Sequence, residues 1–210
     1  MVTFDDKDVQ WAGEVFQKLE EKMDETLGRS AKIIPYRTEA GRFENMAEKN
    51  ICWWTNGFWE GLLWILYEQT GKKQYQAAAR AGEEMLDQAF ERYPKLHHDV
   101  GFLWQLSAGL DYKITGSQSA RTRALFAASI LMSRFQLAGG YLRAWNDYPG
   151  EDTSGWAIID TMMNLSLLYW ASEELKDSRF ARIAMAHADK TMVHHLRPDG
   201  SVRHIVYYDP

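Results

Sequence analysis

The chain has 210 residues, 46% hydrophobic and 25% charged, enough for one or two soluble globular domains with a sizeable core. A net charge of -5 with acids and bases interleaved leaves no basic stripe, which excludes nucleic acid as the expected partner. A single cysteine, Cys52, excludes an internal disulfide framework and gives no support to a thiolate zinc site.

Residues 1–10 are acidic and have no apolar signal core, and no apolar run reaches membrane-spanning length. The expected location is cytoplasmic, or periplasmic if a leader has been removed. Residues 5–27 place Val9, Ala12, Val15, Phe16, Leu19 and Met23 at helical spacing, predicting an amphipathic helix that ends near Gly28. Residues 28–53 show no clear period and form a long connection.

An alternation follows. Gly57 to Tyr67 is apolar nearly all round and predicts a buried helix, stopped at Thr70-Gly71; residues 74–90 then carry Tyr75, Ala78, Gly82, Met85 and Ala89 on one stripe. The pattern repeats. An apolar run from Asp99 to Ile114 ends at Thr115-Gly116, and the next helix turns Ala124, Ala127, Ala128, Leu131 and Phe135 inward. Asp160 to Leu175 is the third apolar run, followed by Phe180, Ile183, Ala184 and His187 on a stripe. Only 139–145 and 201–208 read as short strands. The expected fold is all-α, an array of three helical hairpins with buried inner helices and amphipathic outer ones, in a single domain over 1–210.

Inner helices that run the same way share one rim. Trp54, Asp99 and Asp160 each precede the helix-stopping turn by sixteen residues, so all three are expected on that rim. Either aspartate alone reads most simply as a helix N-cap, since that position accepts backbone N–H bonds and suits the helix dipole. Their shared register points instead to two carboxyls converging for acid/base chemistry, and nine tryptophans offer faces for sugar rings, although core packing accounts for most of them. Trp145 and Trp156 flank a Gly/Pro/Asp-rich loop, 146–155, and can close a pocket. His97-His98-Asp99 lacks the spacing of known metal motifs, so a histidine bonded to substrate is preferred over a metal ligand. His187, His194 and His195 fall on the outer helix pattern and receive no role. No G-x-S-x-G, P-loop or dinucleotide glycine pattern is present.

The runs Trp54-Thr55-Asn56-Gly57-Phe58-Trp59, Leu96-His97-His98-Asp99-Val100-Gly101-Phe102-Leu103, Ala144-Trp145, Ile158-Ile159-Asp160 through Asn164-Leu165, and His204 through Tyr208-Asp209-Pro210 resemble unsaturated glucuronyl hydrolases of glycoside hydrolase family 88. The resemblance implies an (α/α)6 barrel of which this chain covers about three hairpins, the first half. It implies removal of a Δ4,5-unsaturated uronic acid from an unsaturated oligosaccharide by hydration of the vinyl ether. Asp160 is then the general acid and base, Asp99 binds sugar hydroxyls and stabilises positive charge, and Trp54, His98, Trp145 and His204 line the pocket, with no metal and no organic cofactor. The similar family 105, unsaturated rhamnogalacturonyl hydrolases, shares the fold, but the His-His-Asp-Val-Gly-Phe run favours family 88. The family's later Arg-Gly-Gln-Ala-Trp core has no counterpart here. A catalytically incomplete half-barrel that binds sugar or a partner is therefore the alternative, and self-association or a second chain completing the barrel is expected. An epimerase on the same scaffold would need paired histidines and is disfavoured.

Overall fold

The computed structural model describes residues 5–209, so Pro210 of the last motif and residues 1–4 lie outside the described residues. The chain is mostly helical. Helix α1 (Asp6–Ser30) leads to a hairpin of β1 (Pro35–Glu39) and β2 (Arg42–Asn45) and a single turn, α2 (Met46–Lys49). Three helical hairpins follow. The first pairs α3 (Asn56–Thr70) with α4 (Lys73–Leu86). The second pairs α5 (Val100–Trp104) and α6 (Ala108–Thr115) with α7 (Gln118–Ser133), and the third pairs α8 (Thr161–Leu175) with α9 (Ser178–His194). Short strands β3 (Phe135–Gln136), β4 (Tyr141–Leu142), β5 (Trp156–Ile158) and β6 (Ile205–Tyr207) lie between and after them.

Helix α1 starts on a capping box: Asp5 accepts from the Lys7 and Asp8 amides, and Asp8 accepts from the Asp5 amide at 3.1 Å. It docks through its last turns, where Met23 and Leu27 are buried and Tyr75 donates to Asp24. Val9, Val15 and Leu19, on the predicted stripe, stay exposed.

Each inner arm ends on a residue in the left-handed region: Gly71 (φ 69°), Gly116 (φ 75°) and Lys176 (φ 54°). These are the turns that the sequence repeat predicts. A left-handed residue closes a helix by returning its amide to an upstream carbonyl, as Gly71 does to Tyr67 and Gly116 to Tyr112, both at 2.8 Å.

Four expectations are corrected. The second inner arm is not one helix: it breaks at Ser107 (φ -96°, ψ -94°), whose hydroxyl donates to the Leu103 carbonyl at 2.6 Å and competes with the helical ladder. Helix α3 is not buried all round. Trp59, Leu63, Trp64 and Leu66 are buried, but Phe58, Leu62 and Ile65 are exposed, because α4, α5 and α6 leave part of the helix uncovered among the described residues. On α8, the third inner helix, Met163 and Tyr169 are exposed as well. The connection 28–53 holds a β-hairpin turned by Ala40-Gly41, both with positive φ, and its flank packs Ile34, Met46, Ile51 and Cys52 into the core. The all-α expectation therefore yields to a mostly helical fold with three two-stranded sheets; β4 and β6 fall at the two predicted strand sites, while their partners β3, which takes Phe135 from the predicted helix stripe, and β5 do not.

Two apolar clusters hold the layers together. Trp59, Leu63, Trp64, Tyr75 and Ala79 fill the space between α1, α3 and α4. Trp104, Ala124, Ala127, Ala128, Leu131 and Leu168 join the second and third hairpins, each large side chain contributing about 1.5–3 kcal/mol on burial. Between inner arms the seams are made by glycine. A Cβ on Gly57 would sit 2.8 Å from the Leu103 carbonyl carbon and closer still to two carbonyl oxygens, and one on Gly101 would sit 2.8 Å from Asn164 Cα. These backbone approaches draw the starts of α3, α5 and α8 together. No described helix is long and apolar enough to cross a membrane.

Candidate active site

Asp99 and Asp160 occupy the N-cap positions of α5 and α8, yet neither carboxylate makes a capping bond. Both turn to the same ring. His98 Nε2 lies 3.0 Å from Asp99 Oδ1 and 3.0 Å from Asp160 Oδ1. Neighbouring helices usually pack about 8–10 Å apart, and here two features close that distance. The Gly101–Asn164 seam brings α5 against α8, locked by the Phe102 amide donating to Asn164 Oδ1 at 2.9 Å. The imidazole of His98 then bridges what remains.

The other ring nitrogen fixes the protonation. His98 Nδ1 is 2.9 Å from the carbonyl of Ala144, which can only accept, so Nδ1 carries a hydrogen. Nε2 thus faces two carboxyl oxygens with a lone pair or with a second proton. A bare lone pair against two carboxylates is repulsive, so the trio retains at least one more proton, on the ring or on a carboxyl. Burial pushes the Asp99 carboxyl up to about 6, with the charge of His98 opposing and that of Asp160 adding. Asp99 is buried, whereas the Asp160 side chain is 41% exposed. The buried carboxyl and the open one therefore differ in what they can reach.

His97 stacks on His98 with ring centroids 5.1 Å apart. Burial, helped by His98 and Arg134, drives it down to about 3, so it is neutral. His97, His98 and Asp99 are the described residues with ligand atoms grouped closely enough to hold a metal ion, up to 4.8 Å from one another. That spread is wider than the roughly 3–4 Å between neighbouring ligands bonded at about 2.1 Å.

An aromatic wall surrounds the cluster. Trp145 stands edge-on to His98 at 5.8 Å, Trp156 packs on Trp145 at 5.8 Å, and Tyr207 packs on Trp156 at 4.9 Å. Trp54 is 40% exposed and rests on Phe58 and Phe102. It stands one residue before the N-cap of its helix, Thr55, so it matches the aspartates only to within a residue. A cleft of about 470 Å³ beside Trp54 is lined by Tyr36, Phe43, Phe58 and Leu62 and by neither aspartate. His204 is exposed, and its ring makes no hydrogen bond to either aspartate among the described residues. Its carbonyl accepts from the Ile159 amide at 3.0 Å, which sets it beside Asp160.

Several groups at the site are not legible from residue patterns. Asn164 and the Ala144 carbonyl are two, although their neighbours belong to the quoted motifs. Arg134 is a third, donating to the Ala144 carbonyl at 3.0 Å. His187 and His195, read as outer-helix residues without a role, are buried inside: His187 Nδ1 accepts from the Leu142 amide at 3.0 Å, and burial pushes the ring down to about 4. The signal for them was the inward stripe 187, 191, 195 along α9.

No family model matches the chain. Among characterised proteins it is similar to the unsaturated glucuronyl hydrolase of Bacillus sp. (strain GL1), 40% identical over 158 residues, covering 75% of this chain and 42% of that protein. It is similar to the unsaturated chondroitin disaccharide hydrolase of Streptococcus pyogenes serotype M1, 37% identical, covering 75% of this chain and 39% of that protein. The crystal structure of the Bacillus sp. GL1 unsaturated glucuronyl hydrolase superposes with a TM-score of 0.79 at 34% identity, over 88% of this chain and 49% of that one. An unsaturated glucuronyl hydrolase specific for heparin superposes with a TM-score of 0.73 at 32% identity, over 86% of this chain and 47% of that one. The fold thus resembles the helical toroid of these hydrolases, and the chain spans less than half the length of the relatives it matches. By sequence and by fold together, the chain belongs to the unsaturated glucuronyl hydrolases, glycoside hydrolase family 88.

Proposed function

We propose that the protein removes a Δ4,5-unsaturated glucuronic acid from the non-reducing end of lyase-generated oligosaccharides. The observation that carries this reading is His98 Nε2 held 3.0 Å from two carboxylates that stand at helix starts without capping them. The names of the relatives, which specify glucuronyl, chondroitin disaccharide and heparin substrates, favour acidic disaccharides from glycosaminoglycans.

Asp160, the exposed carboxyl, is the general acid and base. Its proton goes to C4 as the electron pair of the C4=C5 bond forms the new C4–H bond, leaving positive charge shared by C5 and the ring oxygen. Water adds to C5 and gives its proton back to the Asp160 carboxylate. The hemiketal formed at C5 opens to a ketone, and the hemiacetal left at C1 expels the aglycone as an alcohol. Asp99, ionised above its elevated pKa of about 6, accepts from sugar hydroxyls and opposes the developing cation. His98 Nε2 hydrogen-bonds Asp160 and stands 3.0 Å from Asp99, so the proton needed at C4 stays within the cluster. Trp54 and Trp145 offer ring faces for stacking, and His204 closes the side next to Asp160.

The test is the loss of the unsaturated uronate's ultraviolet absorbance on mixing the protein with lyase-made disaccharides. Asp160→Asn is expected to abolish turnover with the melting behaviour unchanged, because an amide has no proton to give C4. Wild-type rates in that variant would remove Asp160 from the role. A second reading, a sugar- or partner-binding half-toroid, is favoured by the exposed Phe58, Leu62, Ile65, Met163 and Tyr169 on the inner helices. Binding of the disaccharide without loss of absorbance would select it.

A further inference from the structure

Arg134 follows α7 and reaches back over the loop that carries Trp145. Its Nε donates to the Arg143 carbonyl at 2.9 Å. Its Nη2 donates to the carbonyls of Ala144 at 3.0 Å and Trp145 at 2.9 Å, and its Nη1 to Asn146 Oδ1 at 2.8 Å. One guanidinium therefore holds three consecutive carbonyls and a side-chain oxygen. Among the described residues no carboxylate forms an ion pair with it, so all of these bonds go to neutral acceptors. That is a use for arginine in particular: the planar fork fixes several acceptors at once, which a lysine ammonium on a flexible stem does not.

The same set of bonds reaches the other side of the site. Asn146 Nδ2 donates to the carbonyls of Pro94 and Leu96, both at 3.1 Å, and so ties the segment leading into His97 and His98 to the same clamp. The Ala144 carbonyl is the shared point. It accepts from Arg134, from His98 Nδ1 at 2.9 Å and from the His98 backbone amide at 3.3 Å. Whatever aims that carbonyl decides which ring nitrogen of His98 carries the hydrogen.

We propose that Arg134 is a positioning residue for the His98–Asp99–Asp160 cluster: by fixing the Ala144 carbonyl it keeps the ring hydrogen on His98 Nδ1 and reserves Nε2 for the proton shared with the Asp160 carboxyl. The consequence for catalysis rests on the hydrolase reading above; the consequence for the ring does not. Without the clamp the carbonyl is held only from the His98 side, by its amide at 3.3 Å and by the ring itself, so the ring can place its hydrogen on Nε2 and donate it to a carboxylate, and Asp160 loses the acceptor for its proton.

The tautomer is read directly by long-range 1H–15N NMR on the 210-residue chain, with the His98 signals identified by their loss in His98→Asn. The expected result is a hydrogen on Nδ1 in the wild type and a mixed or reversed pattern in Arg134→Met. Arg134→Lys, which keeps the charge and reaches fewer carbonyls, is expected to fall between them. The His187 and His195 patterns should stay fixed, showing that the fold is intact. If Arg134→Met does not fold, Arg134→Lys and Asn146→Ala carry the comparison. On an unsaturated disaccharide the folded variants should lose at least about tenfold in kcat with KM within about twofold. An unchanged Nδ1–H pattern in a folded Arg134 variant overturns the proposal, whether or not turnover falls. A wild-type chain without turnover would count against the hydrolase reading and leave the tautomer result standing.

Discussion

Replacing Gly57 with alanine tests the seam on which the site is built. The new methyl would lie 2.8 Å from the Leu103 carbonyl carbon and nearer still to the carbonyl oxygens of Phe102 and Leu103. An ordinary carbon–oxygen contact is about 3.3–3.6 Å, so the start of α3 must move from α5 by about 1 Å. The obstacles are backbone atoms, which cannot swing aside as a side chain can. Alanine gains about 1 kcal/mol over glycine in helix propensity, while overpacking costs about 1–3 kcal/mol and sometimes more. With three backbone atoms in the way, the net expectation is a loss of about 2 kcal/mol. Gly13→Ala is the control, since nothing lies within 4 Å of the added methyl and the exposed helix should gain about 0.5–1 kcal/mol. Denaturant midpoints at one protein concentration measure both. Because Trp54 moves with α3 and Asp99 with α5, a displacement of about 1 Å should also lower turnover, by up to about 10²-fold. Gly57→Ala melting at or above the wild type would refute the claim that backbone contact sets this seam.

Two further expectations concern buried acid and metal. Glu60 is fully buried with neither carboxyl oxygen partnered, and burial, with the charge of Glu83 adding, pushes it from 4.5 up to about 8. The folded state then keeps a proton that the unfolded chain releases, so this contribution is complete below pH 4.5 and is lost as pH rises to about 8, with an upper bound of roughly 5 kcal/mol. Glu60→Gln should lose this part of the pH slope; urea midpoints from pH 5 to 9 that run parallel in the two proteins would contradict it. Turnover should be indifferent to EDTA, since the proposed hydration uses only a carboxyl proton and water. Inhibition by EDTA that a divalent ion reverses would instead make His97, His98 and Asp99 metal ligands.

The repeat was legible because its punctuation is chemical. Gly71 and Gly116 mark helix ends that need a left-handed residue, and three apolar runs of similar length between turns leave few architectures open. Asp99 and Asp160 were legible as a pair through register, but His98 as the bridge between them was not, since spacing along the chain does not say where a ring will point. The break at Ser107 went unseen because a lone hydroxyl inside an apolar run gives no sign that it will bond to the carbonyl four residues back. The β1–β2 hairpin was hidden by an alanine at a positive-φ turn position, where asparagine or glycine would have announced it. Arg134 carries no mark at all in sequence. Its role comes from where four acceptors happen to lie after folding.

The pairing of β5 with β6 joins Trp156 to Tyr207, Ala157 to Val206 and Ile158 to Ile205, across the whole of α8 and α9. During synthesis the cluster of His98, Asp99 and Asp160 has all its residues as soon as α8 is made, but its outer flank waits until the last strand emerges. Three residue pairs form that ladder, flanked by the Ile159 amide on the His204 carbonyl at 3.0 Å and the Tyr208 amide on the Gly155 carbonyl at 2.8 Å, and Tyr207 is largely open to water. Short exposed ladders sit at the low end of local unfolding free energies. The wall of the site is therefore expected to open from the Tyr207 end of this ladder, away from the His204–Ile159 bond, leaving His98, Asp99 and Asp160 in place while a sugar ring comes and goes.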